Sequence, residues 1–126
     1  MIMHAKSFKK SERLHSYKLI QMLHDDGISV ELSVLKFTYL VIDTALSGVD
    51  RQVLIHVPKR LIKRSVDRNL LKRRIREAYR LNRPTACVQN GKCVLLKYTY
   101  FVNTMASYKG IENDIIQSLE YIDNAM

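Results

Sequence analysis

Between residues 68 and 83 the chain sets Arg68, Lys72, Arg73, Arg76, Arg80 and Arg83 at helical spacing, with Asn69 among them. At about 100° per residue, with Arg68 at zero, Lys72 falls near 40°, Arg83 near 60°, Arg76 near 80°, Asn69 near 100°, Arg80 near 120° and Arg73 near 140°. Six cations and one amide thus share a helix face. A guanidinium fork can grip phosphate oxygens in pairs, where an ammonium offers only a point charge. An amide can donate and accept at a sugar or base edge. Like charges at i, i+4 destabilise an isolated helix by roughly a few tenths of a kcal/mol per pair, a repulsion that a polyanion relieves. The chemistry of this face is anion recognition.

The charge distribution sharpens that statement. Residues 51–83 hold twelve Lys or Arg against Asp67 and Glu77, a local charge of +10, whereas the remaining residues carry nine Lys or Arg against ten Asp or Glu, net −1. A charge run is often only a solvated face, but this one holds the whole excess of the +9 chain and points to nucleic acid. Hydrolytic chemistry finds no equivalent constellation. His4, His15, His24 and His56 are scattered, the acidic residues show no metal-ligand spacing, and Cys87 and Cys93, six apart, match neither a redox pair nor a zinc pair. They read as ordinary thiols. No metal site and no catalytic residue is expected in the protein itself.

The elements that must position the basic face follow from periodicity. With 126 residues, 47% hydrophobic and 26% charged, one globular domain spanning 1–126 is expected. The first residues lack a signal-peptide core and no apolar run reaches the roughly 20 residues of a membrane span, so a soluble cytoplasmic protein is expected. Leu14, Tyr17, Ile20 and Leu23 recur at helical spacing from Glu12 to His24, ahead of Asp25-Asp26-Gly27. Ser29 to Ile42 reads as one strand and Gln52 to Val57, ended by Pro58, as a second, joined through turn residues 45–50 as an antiparallel pair. Asp67 to Arg83 is the basic helix, with Asp67 as N-cap and Pro84 as the stop. Its other face, Leu70, Leu71, Ile75, Ala78, Tyr79 and Leu81, is expected to dock on the core. Arg74, near 240°, falls among these apolar neighbours and is expected to snorkel at the core boundary. Asn90-Gly91 precedes a third strand, Lys92 to Phe101, and Ile111, Ile115, Ile116, Leu119 and Ile122 mark a closing helix. The order αββαβα predicts an α+β sandwich with helices on one sheet face and the other face open to a ligand.

The run Arg68-Asn69-Leu70-Leu71-Lys72-Arg73-Arg74-Ile75-Arg76-Glu77-Ala78-Tyr79-Arg80 resembles the signature helix of bacterial ribonuclease P proteins, R-N-x-x-K-R-x-x-R-E-x-x-R. Lys59-Arg60 and Ser65-Val66 resemble the steps before that motif, Phe8 to Leu14 the family's opening segment, and Tyr108 to Ile122 its closing helix. The resemblance implies a left-handed βαβ crossover, of the kind grouped as ribosomal protein S5 domain 2-like, where handedness statistics alone would give the opposite hand. It implies a protein subunit that binds the catalytic RNA of ribonuclease P and assists removal of the 5′ leader from precursor tRNA, in tRNA 5′-end maturation. The endonuclease chemistry, with its Mg²⁺, would belong to the RNA, leaving the protein inactive alone and in need of no obligate protein partner.

By the same resemblance Arg68, Asn69, Lys72, Arg73, Arg76 and Arg80 contact RNA, extended by Lys59 and Arg60. A cleft between the sheet and the first helix would take the leader. The family's aromatic positions there correspond to Ile20 and His24, with Lys36, Phe37 and Tyr39 as substitutes by type, and Pro58 stands at a position often occupied by Ser. Competing classes fit less well. A DNA reader would want a helix-turn-helix pair or a dimerising heptad, and a membrane-surface helix would need the apolar face that the core requires. A protein nuclease would need clustered carboxylates or a paired His and base. A ribosomal-type RNA binder fits the composition, and the signature run separates it from the ribonuclease P reading.

Overall fold

The computed structural model describes residues 12–43, 51–83 and 91–125. Along them run α1 (Tyr17–Asp26), β1 (Ile28–Glu31), β2 (Leu35–Asp43), β3 (Arg51–His56), α2 (Ser65–Asn82), β4 (Lys92–Tyr100) and α3 (Tyr108–Ala125). The turn expected at 45–50, the opening residues 8–11, and Pro84, Cys87 and Asn90 lie outside the described residues. Among the described residues the fold is α+β, one four-stranded mixed sheet with three helices.

α1 begins at Tyr17, not at Glu12. The Ser16 hydroxyl accepts from Leu19 N at 3.3 Å and so caps the helix late. The residues before it join the sheet instead: Arg13 bridges to Val53 in parallel, and Leu14 N donates to Val53 O at 2.9 Å. The helix ends where Gly27 N donates to Leu23 O, also at 2.9 Å.

The apolar run from Ser29 to Ile42 forms two strands, not one. β1 and β2 make an antiparallel hairpin from Ile28↔Tyr39 to Glu31↔Lys36, closed by Leu32 N donating to Leu35 O at 2.8 Å. No glycine or proline marks this turn. Its chemistry comes from α3, where the buried Asp114 carboxylate accepts from Ser33 Oγ at 2.7 Å, Val34 N at 2.8 Å and Leu35 N at 3.0 Å.

The expected antiparallel pairing of the second strand with the first does not occur. The sheet order is β1-β2-β4-β3, with β4 antiparallel to β2 and parallel to β3. β4 carries buried residues on consecutive positions, Cys93, Val94, Leu95 and Leu96, and such a strand stabilises the fold most where both faces are covered. Placing it beside β3 makes α2 the crossover between two parallel neighbours. α2 itself starts at Ser65. Arg64 occupies the cap position without a side-chain cap bond, and Asp67 lies in the first turn, 4.0 Å from Arg64 Nε.

Both sheet faces are covered in part. α2 and α3 pack Leu71, Ile75, Tyr79, Ile111 and Ile115 onto the face of Phe37, Tyr39, Leu96, Tyr98 and Tyr100. α1 packs Leu19 and Leu23 onto the opposite face at Ile42, Cys93 and Leu95. The face expected to stay open is therefore roofed at one end, and its remainder carries the half-buried alternate positions Lys36, Lys97 and Thr99.

Candidate nucleic-acid interface

α2 shows its charged face to solvent because Leu71, Ile75, Ala78 and Tyr79 are all buried beneath it. The apolar face is narrower than its composition suggests: Leu81 is 43% exposed and Leu70 half-buried, so neither belongs to the core. Within the basic face the cations differ in what they touch, a distinction that spacing alone cannot make. Arg68 turns back on the protein, its Nη1 donating to Ile62 O at 3.0 Å and Lys63 O at 2.7 Å. It thereby ties the turn carrying Lys59 and Arg60 to the helix. That turn is further closed by Leu61 N and Ile62 N donating to Pro58 O, both at 3.2 Å, and it leaves Lys59 and Arg60 exposed.

Arg80 is paired with Glu77 one turn earlier, and that hydrogen bond, followed by the Arg80 charge, holds the Glu77 carboxyl below its usual range. Arg83, expected on the outer face, is 6% exposed and paired with Glu12. Arg74 finds a specific partner, with Nη1 donating to Ala106 O at 2.8 Å in the loop before α3. Tyr100 fixes the same loop, donating to Thr104 O at 2.5 Å and accepting from Ala106 N at 2.9 Å. Asn69 and Arg73 are exposed, while Lys72 and Arg76 are half-buried.

Across the sheet a second basic group assembles. Lys97 stands beside Lys36 on the partly open face, and its ammonium donates to His24 Nε2 at 3.0 Å. Burial, and then the Lys36 charge, lower the Lys97 pKa. His56 ends β3 at the margin of this face. Burial lowers its pKa first, followed by the charges of Lys97, Lys72 and Arg60. By register His56 lies opposite Thr99, on the sheet face that also carries Lys97.

Of the expected leader-cleft residues, His24 and Lys36 reach this surface, and Ile20 packs partly buried at the edge of the α1 cluster. Phe37 and Tyr39 do not. They lie on the opposite face, 0% and 6% exposed, with Tyr121 set edge-on to their rings at 5.6 and 6.1 Å. Strand alternation puts Lys36 and Phe37 on opposite sides, so both could not line one cleft. Lys97 and His56 escaped the sequence analysis. The alternation Val94, Leu96, Tyr98 against Leu95, Lys97 was the available signal for Lys97, and nothing in the local sequence marked His56.

A protein-held divalent metal does not suit this surface, whose side chains are cationic. Among the described residues no group of three or more His, Cys, Asp or Glu is placed to hold a metal ion, and no helix is long and apolar enough to cross a membrane.

Residues 8–122 match the family model described as Ribonuclease P. Comparison with curated protein sequences gave no match. Among solved structures, the chain is similar to the ribonuclease P protein from Thermotoga maritima, with a TM-score of 0.66 and 17% identity over 87% of this chain and 96% of that one. It is also similar to the Staphylococcus aureus ribonuclease P protein, with a TM-score of 0.65 and 19% identity over 90% of this chain and 96% of that one.

Proposed function

This chain belongs to the bacterial ribonuclease P protein family, and from that premise we propose that it binds the catalytic RNA through α2 and the Lys59-Arg60 turn, and the 5′ leader of precursor tRNA along the open sheet face. The observation that carries the proposal is the outward basic face of α2, which stands over buried Leu71, Ile75, Ala78 and Tyr79 and is flanked by the exposed Lys59 and Arg60. A substrate strand lying on Lys36 and Lys97 could pass directly to the RNA-facing helix. The leader contact includes phosphates, for which the cleft offers the Lys36 and Lys97 amines and the His24 and His56 imidazoles. Asn69 supplies the amide for a sugar or base edge on the same helix.

The RNA carries the hydrolysis and its Mg²⁺ in this scheme. The protein lowers the electrostatic cost of bringing two polyanions together in a cytoplasmic ribonucleoprotein, and has no nucleophile of its own. The test is cleavage of a precursor tRNA at low Mg²⁺ by a bacterial ribonuclease P RNA, with and without the protein, and by the protein alone. Correct 5′ processing only when both are present is expected. Cleavage by the protein alone would overturn the division of labour, and RNA binding without stimulation of a cognate RNA would reduce the chain to a structural RNA binder.

A further inference from the structure

The lysines of the chain sit in unlike surroundings. Lys18, Lys59, Lys63 and Lys92 are exposed, and Lys109 lies 3.7 Å from the Glu112 carboxylate. Lys97 differs from both kinds. It stands on β4, an interior strand of the sheet, half-buried and flanked in register by Thr38 on β2 and Leu54 on β3. Among the described residues no carboxylate pairs with it. Its partner is the His24 imidazole from the last turn of α1, with Nε2 3.0 Å from Nζ. Lys36, half-buried on the same sheet face, adds a like charge. Burial, and then that charge, disfavour the ammonium, so Lys97 spends more time as the neutral amine than a solvated lysine does.

An amine within hydrogen-bond reach of an imidazole has the parts of an activated nucleophile: a nitrogen lone pair, and a base placed to take its proton. Both groups are open to reagents, since His24 is exposed and the contact lies at the surface. The groups that face the amine are His24 from α1, Lys36 from β2 and His56 from β3, whose own pKa is lowered by the Lys97 charge. None of them is acidic, so an electrophile that carries negative charge is favoured here over a neutral one. An acyl phosphate joins such a charge to a reactive carbonyl.

We infer that Lys97 is a site of Nε-acylation by acyl phosphates, with His24 as the proton acceptor. The Lys97 nitrogen forms a bond to the acyl carbon, the bond from that carbon to the phosphate oxygen breaks, and inorganic phosphate leaves with the electron pair. The amine proton passes to His24 Nε2, and no oxidant or reductant takes part. The product amide is uncharged, so the open sheet face loses one of the two charges of Lys36 and Lys97. The consequence for the precursor leader rests on the proposed function; the acylation chemistry does not.

Treatment of the full chain with acetyl phosphate near neutral pH, followed by peptide mass spectrometry, gives an acetylation rate for each lysine. Lys97 is expected to react at least about tenfold faster than Lys63, which is exposed among the cations of the basic segment, and to lose that advantage in urea. A rate no greater than that of Lys63, or a preference that persists in urea, would overturn the site. His24→Ala should slow Lys97 at least about tenfold while leaving Lys63 unchanged; an unchanged Lys97 rate would remove His24 from the reaction. Added salt should slow acetyl phosphate at Lys97 but not a neutral acetyl thioester, and labelling by acetyl phosphate that ignores salt would overturn the choice of reagent. A separate arm places acetyllysine at position 97 and measures precursor tRNA affinity in the reconstituted ribonucleoprotein, with and without the leader. The slope of log affinity against log salt is expected to fall by about 0.7 only when the leader is present. Selective labelling with unchanged leader affinity would refute the consequence for the leader and uphold the site. Absence of RNA binding by the unmodified chain would instead refute the proposed function, leaving the labelling rates to decide the site.

Discussion

Cations of equal charge on α2 should have unequal effects, because their partners differ. Lys72 is among the charges that lower the His56 pKa, whereas Arg68 donates to two backbone carbonyls. Lys72→Ala and Lys97→Ala are each expected to weaken RNA binding and to reduce the slope of log affinity against log salt by roughly 0.7 to 0.9. Arg68→Ala should chiefly cost stability, about 1 to 3 kcal/mol in chemical denaturation, since the Ile62 and Lys63 carbonyls lose their donor. His56 supplies a pH dependence. Its folded pKa lies below the unfolded value of about 6.5, so between the two the unfolded chain binds more protons, and stability is lost as pH falls through that window. RNA phosphates act in the opposite sense by favouring the imidazolium, so RNA affinity should rise from pH 8 to pH 6. Both slopes should flatten in His56→Gln; identical pH profiles for the variant and the wild type would remove His56 from the interface.

Whole elements depend on two contacts that local sequence conceals. A Cβ on Gly27 would sit 2.3 Å from Leu23 O and 2.8 Å from Thr38 Cγ2, both too close, so Gly27→Ala must move α1 away from β2. A loss of about 1 to 3 kcal/mol is expected by denaturant unfolding, with weaker leader binding as His24 shifts. Asp114→Ala removes the acceptor of three hydrogen bonds at the β1–β2 turn. It should cost about 3 kcal/mol and speed amide exchange at Val34 and Leu35 more than in β4. These two positions also show what could be read in advance. The face of α2 was legible because charge and apolarity segregate at 100°, as were the helical character of α1 and α3 and the turn glycine Gly91, whose φ is 82°. The β1–β2 break was not, since its turn is stabilised by a carboxylate about eighty residues away. Nor was the side on which Phe37 and Tyr39 lie. Alternation tells which strand residues share a face but not which face meets the helices, and β2 blurs even that, with Leu35 and Phe37 buried on one side and Ile42 on the other.

On the scale of the molecule, charge is sorted between surfaces. Residues 51–83 carry twelve of the twenty-one Lys and Arg, while α3, on the helix-covered side of the sheet, exposes Glu120 and Asp123. Such separation orients an approaching polyanion before contact. Replacing both acids, Glu120→Lys with Asp123→Lys, should raise non-specific RNA affinity at low salt without raising the rate of precursor cleavage; a matching gain in cleavage would mean that α3 faces substrate. The sheet order has a consequence of another kind. β4 is the last strand along the chain yet lies between β2 and β3, which do not pair with each other. During synthesis the β1–β2 turn must wait for its Asp114 acceptor, and β3 has no strand to pair with until β4 follows. The polycationic stretch 51–83 is therefore made before the strand that completes the core beneath α2. Completion of the sheet and seating of the basic helix become one event, timed by the last quarter of the chain.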